Sequence, residues 1–184
     1  MKETSTHVSR SSNRNREHPE KSTLFKEILF LLLKIAAVVV VFVLVFTFLY
    51  GLHRNTDPSM SPAIRDGDLV LFYRLDQTYA AGDTLLLSYE DQIQVRRVIA
   101  TAGDTVDITE DGLLINGALQ QEPEIYQETH RYVDGVTFPL TVPDGQVFVL
   151  GDARENATDS RIYGTVNVKD TLGKVIAILR RRSI

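Results

Sequence analysis

The chain contains no cysteine, which removes disulfide frameworks, thiol nucleophiles and cysteine-ligated metal sites in one step. Histidine is scarce as well. His7, His18, His53 and His130 stand far apart with no short-spaced pair, and because a metal centre needs several ligands, neither a metal nor any other cofactor is expected. No lysine occurs between Lys34 and Lys169. Positive charge is in short supply too: residues 53–184 carry 13 basic and 20 acidic side chains, a net of −7, which argues against nucleic acid as a partner. No internal repeat and no low-complexity segment is evident.

What the 184 residues do contain is unevenly spread. Hydrophobic residues make up 43%, yet much of that share lies between Ile28 and Leu52, where Lys34 is the only interruption. About 20 apolar residues suffice to cross the hydrocarbon core of a bilayer, and the long stem of Lys34 can carry its charge back to the headgroups. The stretch is too long for the core of a cleaved signal peptide. Ahead of it stand Lys2, Arg10, Arg14, Arg16, Lys21 and Lys26, whereas the nearest basic residues beyond it are Arg54 and Arg65. This asymmetry predicts a cytoplasmic N-terminus. The expected layout is a disordered cytoplasmic tail over 1–27, a transmembrane helix over 28–52 and one extracytoplasmic domain over 53–184, placing the protein in the cell membrane as a single-pass anchor. The basic run Arg180 to Arg182 is readable either as a headgroup contact or as a solvated end.

After Leu52 the pattern changes to short runs of Val, Ile, Leu, Phe and Tyr, punctuated by Gly-Asp pairs that begin at Gly67, Gly82, Gly103 and Gly151. That is the punctuation of strands and turns. Strands are predicted over 69–73, 84–89, 93–102, 106–109, 113–116, 146–150 and 172–179, with no long helical period between them, so the domain is mainly β. Asp111-Gly112 is expected to supply the positive dihedrals of a tight hairpin. In the third strand, alternation sends the neighbours Arg96 and Arg97 to opposite faces.

Just past the apolar segment stands Asp57-Pro58-Ser59-Met60-Ser61-Pro62, followed by Gly67-Asp68-Leu69-Val70. Later come Val95-Arg96-Arg97-Val98-Ile99 with Gly103-Asp104, and finally Gly151-Asp152-Ala153-Arg154-Glu155-Asn156-Ala157-Thr158-Asp159-Ser160-Arg161. In this order, behind an anchor, the pieces closely resemble the sequence boxes of the type I bacterial signal peptidases, in their compact Gram-positive form. The resemblance implies a coiled, mostly antiparallel β architecture and a membrane-bound serine endopeptidase that removes signal peptides after small residues. It also implies a serine nucleophile served by a neutral lysine base, which requires an amine whose pKa burial has lowered. Carried over residue by residue, Ser59 takes the nucleophile position and Met60 the next position beside the cleft. The Ser59 N–H becomes an oxyanion donor. Asp159 and Arg161 match a bracing charge pair around Ser160, Arg97 matches the family's arginine, and Asp152 belongs to the same supporting set.

The departures concern the chemistry. The base lysine of the family falls on Arg96, whose guanidinium stays protonated and cannot accept the serine proton. The serine that orients that lysine falls on Ala157. Where relatives place Ser or Gly near the oxyanion hole, this chain has Asp57, which is expected to pair with Arg96 across the site. Two functions follow. In one, the protein binds signal peptides or precursors of exported proteins without cleaving them well and assists surface-protein assembly, with pilus subunits or assembly factors as partners. In the other it is an active signal peptidase using Ser59 with a substitute base: Asp57, Lys169 or Lys174.

Overall fold

The computed structural model describes residues 20–180. The expectations for residues 1–19, and for Arg181 and Arg182, lie outside the described residues.

The first element, α1, is a helix over Glu20–Leu49, and it alone among the described residues is long and apolar enough to cross a membrane, over Thr23–Leu49. Its Leu, Phe and Val side chains face outward all round, the pattern of a helix whose solvent is not water. Lys34 stacks its ammonium 5.0 Å from the Phe30 ring one turn back. The boundaries differ from the expected 28–52. The helix starts within the segment expected as tail, because extending an existing helix fixes one residue per added hydrogen bond and so costs little. It stops at Leu49 because Tyr50–Arg54 forms β1 instead, pairing over its whole length with β2 (Leu69–Tyr73). Hydropathy alone could not show that switch, since Tyr50 to Leu52 continue the apolar run.

The remaining strands follow the predicted spacing to within about a residue: β3 Thr84–Tyr89, β4 Gln92–Thr101, β5 Thr105–Thr109 and β6 Gly112–Ile115. Two short strands, β7 (Ala118–Leu119) and β8 (Leu140–Thr141), precede β9 (Gln146–Leu150). A one-turn helix α2 (Ser160–Tyr163), β10 (Val166–Asn167) and β11 (Thr171–Leu179) complete the chain. All pairings are antiparallel. Seven strands form one sheet in the order β1-β2-β11-β3-β4-β9-β10, and four form another in the order β7-β6-β5-β8. The fold is therefore mainly antiparallel β behind one N-terminal apolar helix.

One turn expectation is corrected. Thr109 pairs with Gly112, so Glu110-Asp111 forms the loop and only Gly112, at φ 121°, has a positive dihedral. The two-residue loop with both dihedrals positive is Glu90-Asp91, at φ 48° and 61°, joining β3 to β4. These are the values of a primed turn, the type whose twist suits adjacent strands.

The apolar core has three parts. Met60, Ile64, Val70, Phe72, Leu86 and Val95 pack beneath the β1–β2 edge, Leu85, Leu87, Val98, Val147 and Val149 pack on β3, β4 and β9, and a third cluster fills the space by the small sheet around Phe138 and Phe148. Strand β4 is buried on both faces and carries a register shift between Val98 and Ala100. Such a bulge re-aims side chains along a strand, and β4 is the strand that delivers both arginines.

Candidate active site

The site begins with a local turn. Pro58–Met60 is a single 3-10 turn with proline at its start and Asp57 as its N-cap. Asp is favoured there because its side chain reaches the backbone two residues on. Here Asp57 Oδ1 accepts the Ser59 N–H at 2.9 Å and the Ser59 hydroxyl at 2.5 Å. Asn55 secures the loop from the other side: its Nδ2 donates to Asp57 O at 2.7 Å and to Arg65 O at 3.2 Å.

Into this turn β4 sends Arg96. Its Nη1 lies 2.7 Å from Asp57 Oδ2, so the ion pair expected between the two residues is present. All three guanidinium nitrogens are engaged: Nε and Nη2 converge on Thr158 O at 3.0 and 2.9 Å, and Nη1 also donates to Val95 O at 2.6 Å. Arg96 is 1% exposed while the Asp57 side chain is 25% exposed. A buried charge is tolerated only when it is paired and its donors are satisfied, and both conditions hold.

Burial pushes the Asp57 carboxyl up, but the hydrogen bonds from the Ser59 hydroxyl and N–H, together with the Arg96 charge, outweigh it and hold the group below its ordinary value. A carboxylate so stabilised is a poor acceptor for an alcohol proton. The hydroxyl's other neighbour is Asn156 O at 3.4 Å, an acceptor with no proton affinity to offer. Lys174 is engaged elsewhere, its Nζ 2.6 Å from Asp83 Oδ2, and His130 pairs with Glu128 on the surface. Burial pushes the Tyr163 phenol strongly up, against the opposing pull of nearby Arg96, so it stays neutral.

Two expectations change on this geometry. The Ser59 N–H, read as an oxyanion donor, is already given to Asp57. Met60, read as lying beside the cleft, is 1% exposed and packs into the core with Ile64 and Val95. The 3-10 turn rotates successive side chains apart, so when Ser59 faces Asp57 its neighbour faces inward.

Ala157 is buried. A Cβ placed on Gly151 would come within 2.4 Å of Ala157 Cβ and 2.7 Å of Ser59 O, so Gly151 packs closely against both residues. Ala153 N–H donates to Ser59 O at 2.8 Å, tying the Ser59 turn to the loop after β9.

The supporting residues divide into two sets. On the opposite face of β4, as alternation requires, Arg97 makes a two-pronged bond to Asp152, with Nε–Oδ1 and Nη2–Oδ2 both 2.7 Å. Asp159 caps α2 and holds Arg161 through Nε–Oδ1 and Nη2–Oδ2, both 2.9 Å, while Gly151 N–H reaches Asp159 Oδ2 at 3.0 Å. Ser160 Oγ accepts the Val149 N–H at 2.9 Å. Sequence reasoning missed a third buried arginine, Arg154, whose Nη1 and Nη2 clasp Glu122 at 2.7 and 2.5 Å while its Nε donates to Gly151 O at 2.9 Å. Nothing local marks Glu122 as its partner. The Asp57–Ser59 contact was also missed, although Asp-Pro-Ser is the pattern of such a capped turn.

A family model described as "Signal peptidase, peptidase S26" matches residues 28–180. Signal peptidase I of Bacillus licheniformis is 33% identical over 155 residues, covering 77% of this chain and 83% of that protein. Signal peptidase IB of Staphylococcus aureus strain COL is 30% identical over 168 residues, covering 82% and 88%. A crystal structure of a signal peptidase I from Enterococcus faecalis V583 shares 28% identity, 54% of this chain and 97% of that one, with a TM-score of 0.45. Neither these relatives' names nor the site residues point to pilus subunits or pilus assembly factors.

Proposed function

Since the chain belongs to the signal peptidase family, peptidase S26, we propose that it is anchored by α1 with its β domain outside the cytoplasm, where it receives signal peptides or precursors of exported proteins and cleaves them poorly or not at all. One observation carries this reading. The Asp57 carboxylate takes both the N–H and the hydroxyl of Ser59 and is itself neutralised by buried Arg96. Acyl transfer needs a proton acceptor for the hydroxyl and a free donor for the oxyanion. Here Arg96 holds the acceptor's place without accepting, and Asp57 spends the donor. Binding makes no such demand, because an extended peptide can add to a sheet edge through backbone hydrogen bonds alone. The topology rests on the excess of basic residues before α1.

A second reading, an active peptidase with Asp57 as base, draws on the 2.5 Å contact between Ser59 Oγ and Asp57 Oδ1. The lowered Asp57 pKa counts against it.

The test uses the full chain in proteoliposomes with a pre-protein, products being identified by mass. The expected result is no Ser59-dependent cleavage, with crosslinking to the precursor unchanged in Ser59→Ala. The triple variant Asp57→Ser, Arg96→Lys, Ala157→Ser should cleave at least about 100-fold faster than the unmodified chain, the lower end of what a positioned base contributes. Cleavage by the unmodified chain that Ser59→Ala abolishes overturns the proposal and favours the second reading.

A further inference from the structure

The stretch between β4 and β9, residues 102–145, folds into the small sheet and the irregular segment that follows β7. One face of that sheet serves the core, where Val106, Ile108 and Leu113 are buried. Alternation therefore turns Leu114 outward, and the register sets Leu119 of β7 beside it, 54% exposed. Strand β7 is also the edge of the sheet. Among the described residues no strand pairs with its outer side, so its backbone is open to another chain. At this edge Leu113, Leu119 and Ile125 line a groove of about 220 Å³ together with Glu110, Asp111 and Glu128. Tyr126, next to Ile125, is 82% exposed.

Charge sets this stretch apart from the rest of the domain. Residues 102–145 hold nine acidic side chains and one basic, Arg131, a net of −8, while the rest of residues 53–184 is nearly neutral at +1. Arg131 is itself committed, 2.7 Å from Asp107. Glu122 is engaged by Arg154 and Glu128 meets His130, but Glu110, Asp111 and Glu124 are exposed and enter no ion pair among the described residues. A hard cation needs several oxygens converging on one point, and among the described residues no group of three acidic or histidine side chains does so. Spread along a groove with an apolar floor and an open strand edge, these carboxylates suit an extended polycation instead of a point charge.

We propose that the β7 edge and its groove dock a lysine- or arginine-rich extended segment of an exported protein. Its backbone pairs with β7, its apolar side chains rest on Leu119 and Ile125, and its cations face Glu110, Asp111, Glu124 and Glu128. The exposed Tyr126 ring offers one of those cations a further partner. The occupant is a peptide because unpaired backbone, apolar surface and carboxylates without counterions lie together here, and a small polyamine would use only the last. Charge of one sign over the whole stretch also draws a cationic chain in from beyond contact distance, an effect that salt screens. The inference rests on the exported placement of the domain proposed above, and it uses a part of the molecule other than the Ser59 turn.

The full chain in nonionic detergent is titrated into a short fluorescent peptide of alternating Lys and Val, and binding is followed by anisotropy. The Lys-Val peptide should bind, less tightly as salt is raised, and more tightly than a Lys-Gly peptide of equal charge. Glu110→Gln, Asp111→Asn, Glu124→Gln and Glu128→Gln together should weaken it about 15-fold, at about twofold per carboxylate. Leu119→Ser with Tyr126→Ser should remove the preference for Lys-Val over Lys-Gly. Glu110→Lys, Asp111→Lys, Glu124→Lys and Glu128→Lys together should instead let a Glu-Val peptide bind, a swap that a misfolded variant does not produce. Affinity unchanged in the neutralised variant, or spermine competing as well as Lys-Val at equal charge, overturns the proposal. None of these substitutions alters Asp57, Ser59 or Arg96, so crosslinking of a pre-protein at the Ser59 turn tests the earlier proposal on its own. A Lys-Val peptide that fails to bind while that crosslinking persists refutes the docking surface alone.

Discussion

Replacing Arg96 with methionine asks how much the Asp57–Arg96 pair contributes. The substitution keeps a long buried side chain but removes the donors that serve Asp57 Oδ2, Thr158 O and Val95 O. Breaking one side of a buried pair costs about 3–5 kcal/mol. Asp57 is a quarter exposed and keeps both Ser59 donors, which favours the low end, while the partnerless carbonyl of Thr158 adds about 1 kcal/mol. Methionine burial offsets part of the total, about 1–2 kcal/mol. A net destabilisation of about 2–3 kcal/mol is expected. Asp57→Ala should cost at least as much, about 3–5 kcal/mol, because it removes a cap and leaves the buried Arg96 charge without its countercharge. The double variant should then fall short of the sum by about 1–2 kcal/mol, since the second change no longer strands a charge. Reversible urea unfolding of the full chain in mild detergent supplies the numbers, followed by the fluorescence of its seven tyrosines, as there is no tryptophan. If Arg96→Met lies within about 0.5 kcal/mol of the unmodified chain, or the cycle adds to within about 0.3 kcal/mol, the pair is not what holds the turn.

Three further outcomes are expected. Because the folded-state pKa of Asp57 lies below its ordinary 3.8, its contribution to stability is present above that value and is lost as pH falls through the folded pKa; stability measured from pH 5 downward should therefore fall more steeply for the unmodified chain than for Asp57→Asn. Gly151→Ala places a methyl group within 2.7 Å of the Ser59 carbonyl and should destabilise by about 1–3 kcal/mol as an overpacking change; a stability equal to the parent would show that the loop after β9 yields freely. Glu122→Gln leaves buried Arg154 without its countercharge and should speed proteolysis within residues 120–135 several-fold while α1 stays intact, as read by limited digestion and mass spectrometry.

Local pattern determined much of this protein. The run Val38 to Val45 could only be an apolar segment, and β-branched runs between Gly-Asp pairs placed seven strands, because alternation and turn chemistry act over a few neighbouring residues. That Arg96 cannot accept a proton was equally legible, since a guanidinium remains charged in any fold. Strand β1 was not, because Tyr50 to Leu52 look like more helix until β2 offers five backbone partners. The two-residue strands β7, β8 and β10 exist only through their neighbours.

The site divides in the same way. The opposite directions of Arg96 and Arg97 followed from strand period, but their partners Asp57 and Asp152 are 39 and 55 positions away. Glu122 meets Arg154 across 32 residues. Such meetings depend on sheet register and on the bulge in β4, which sequence spacing does not encode. Which charges the chain possesses was fixed by composition; that one carboxylate would consume both the hydroxyl and the N–H of Ser59 was settled by how the 3-10 turn packs against β4.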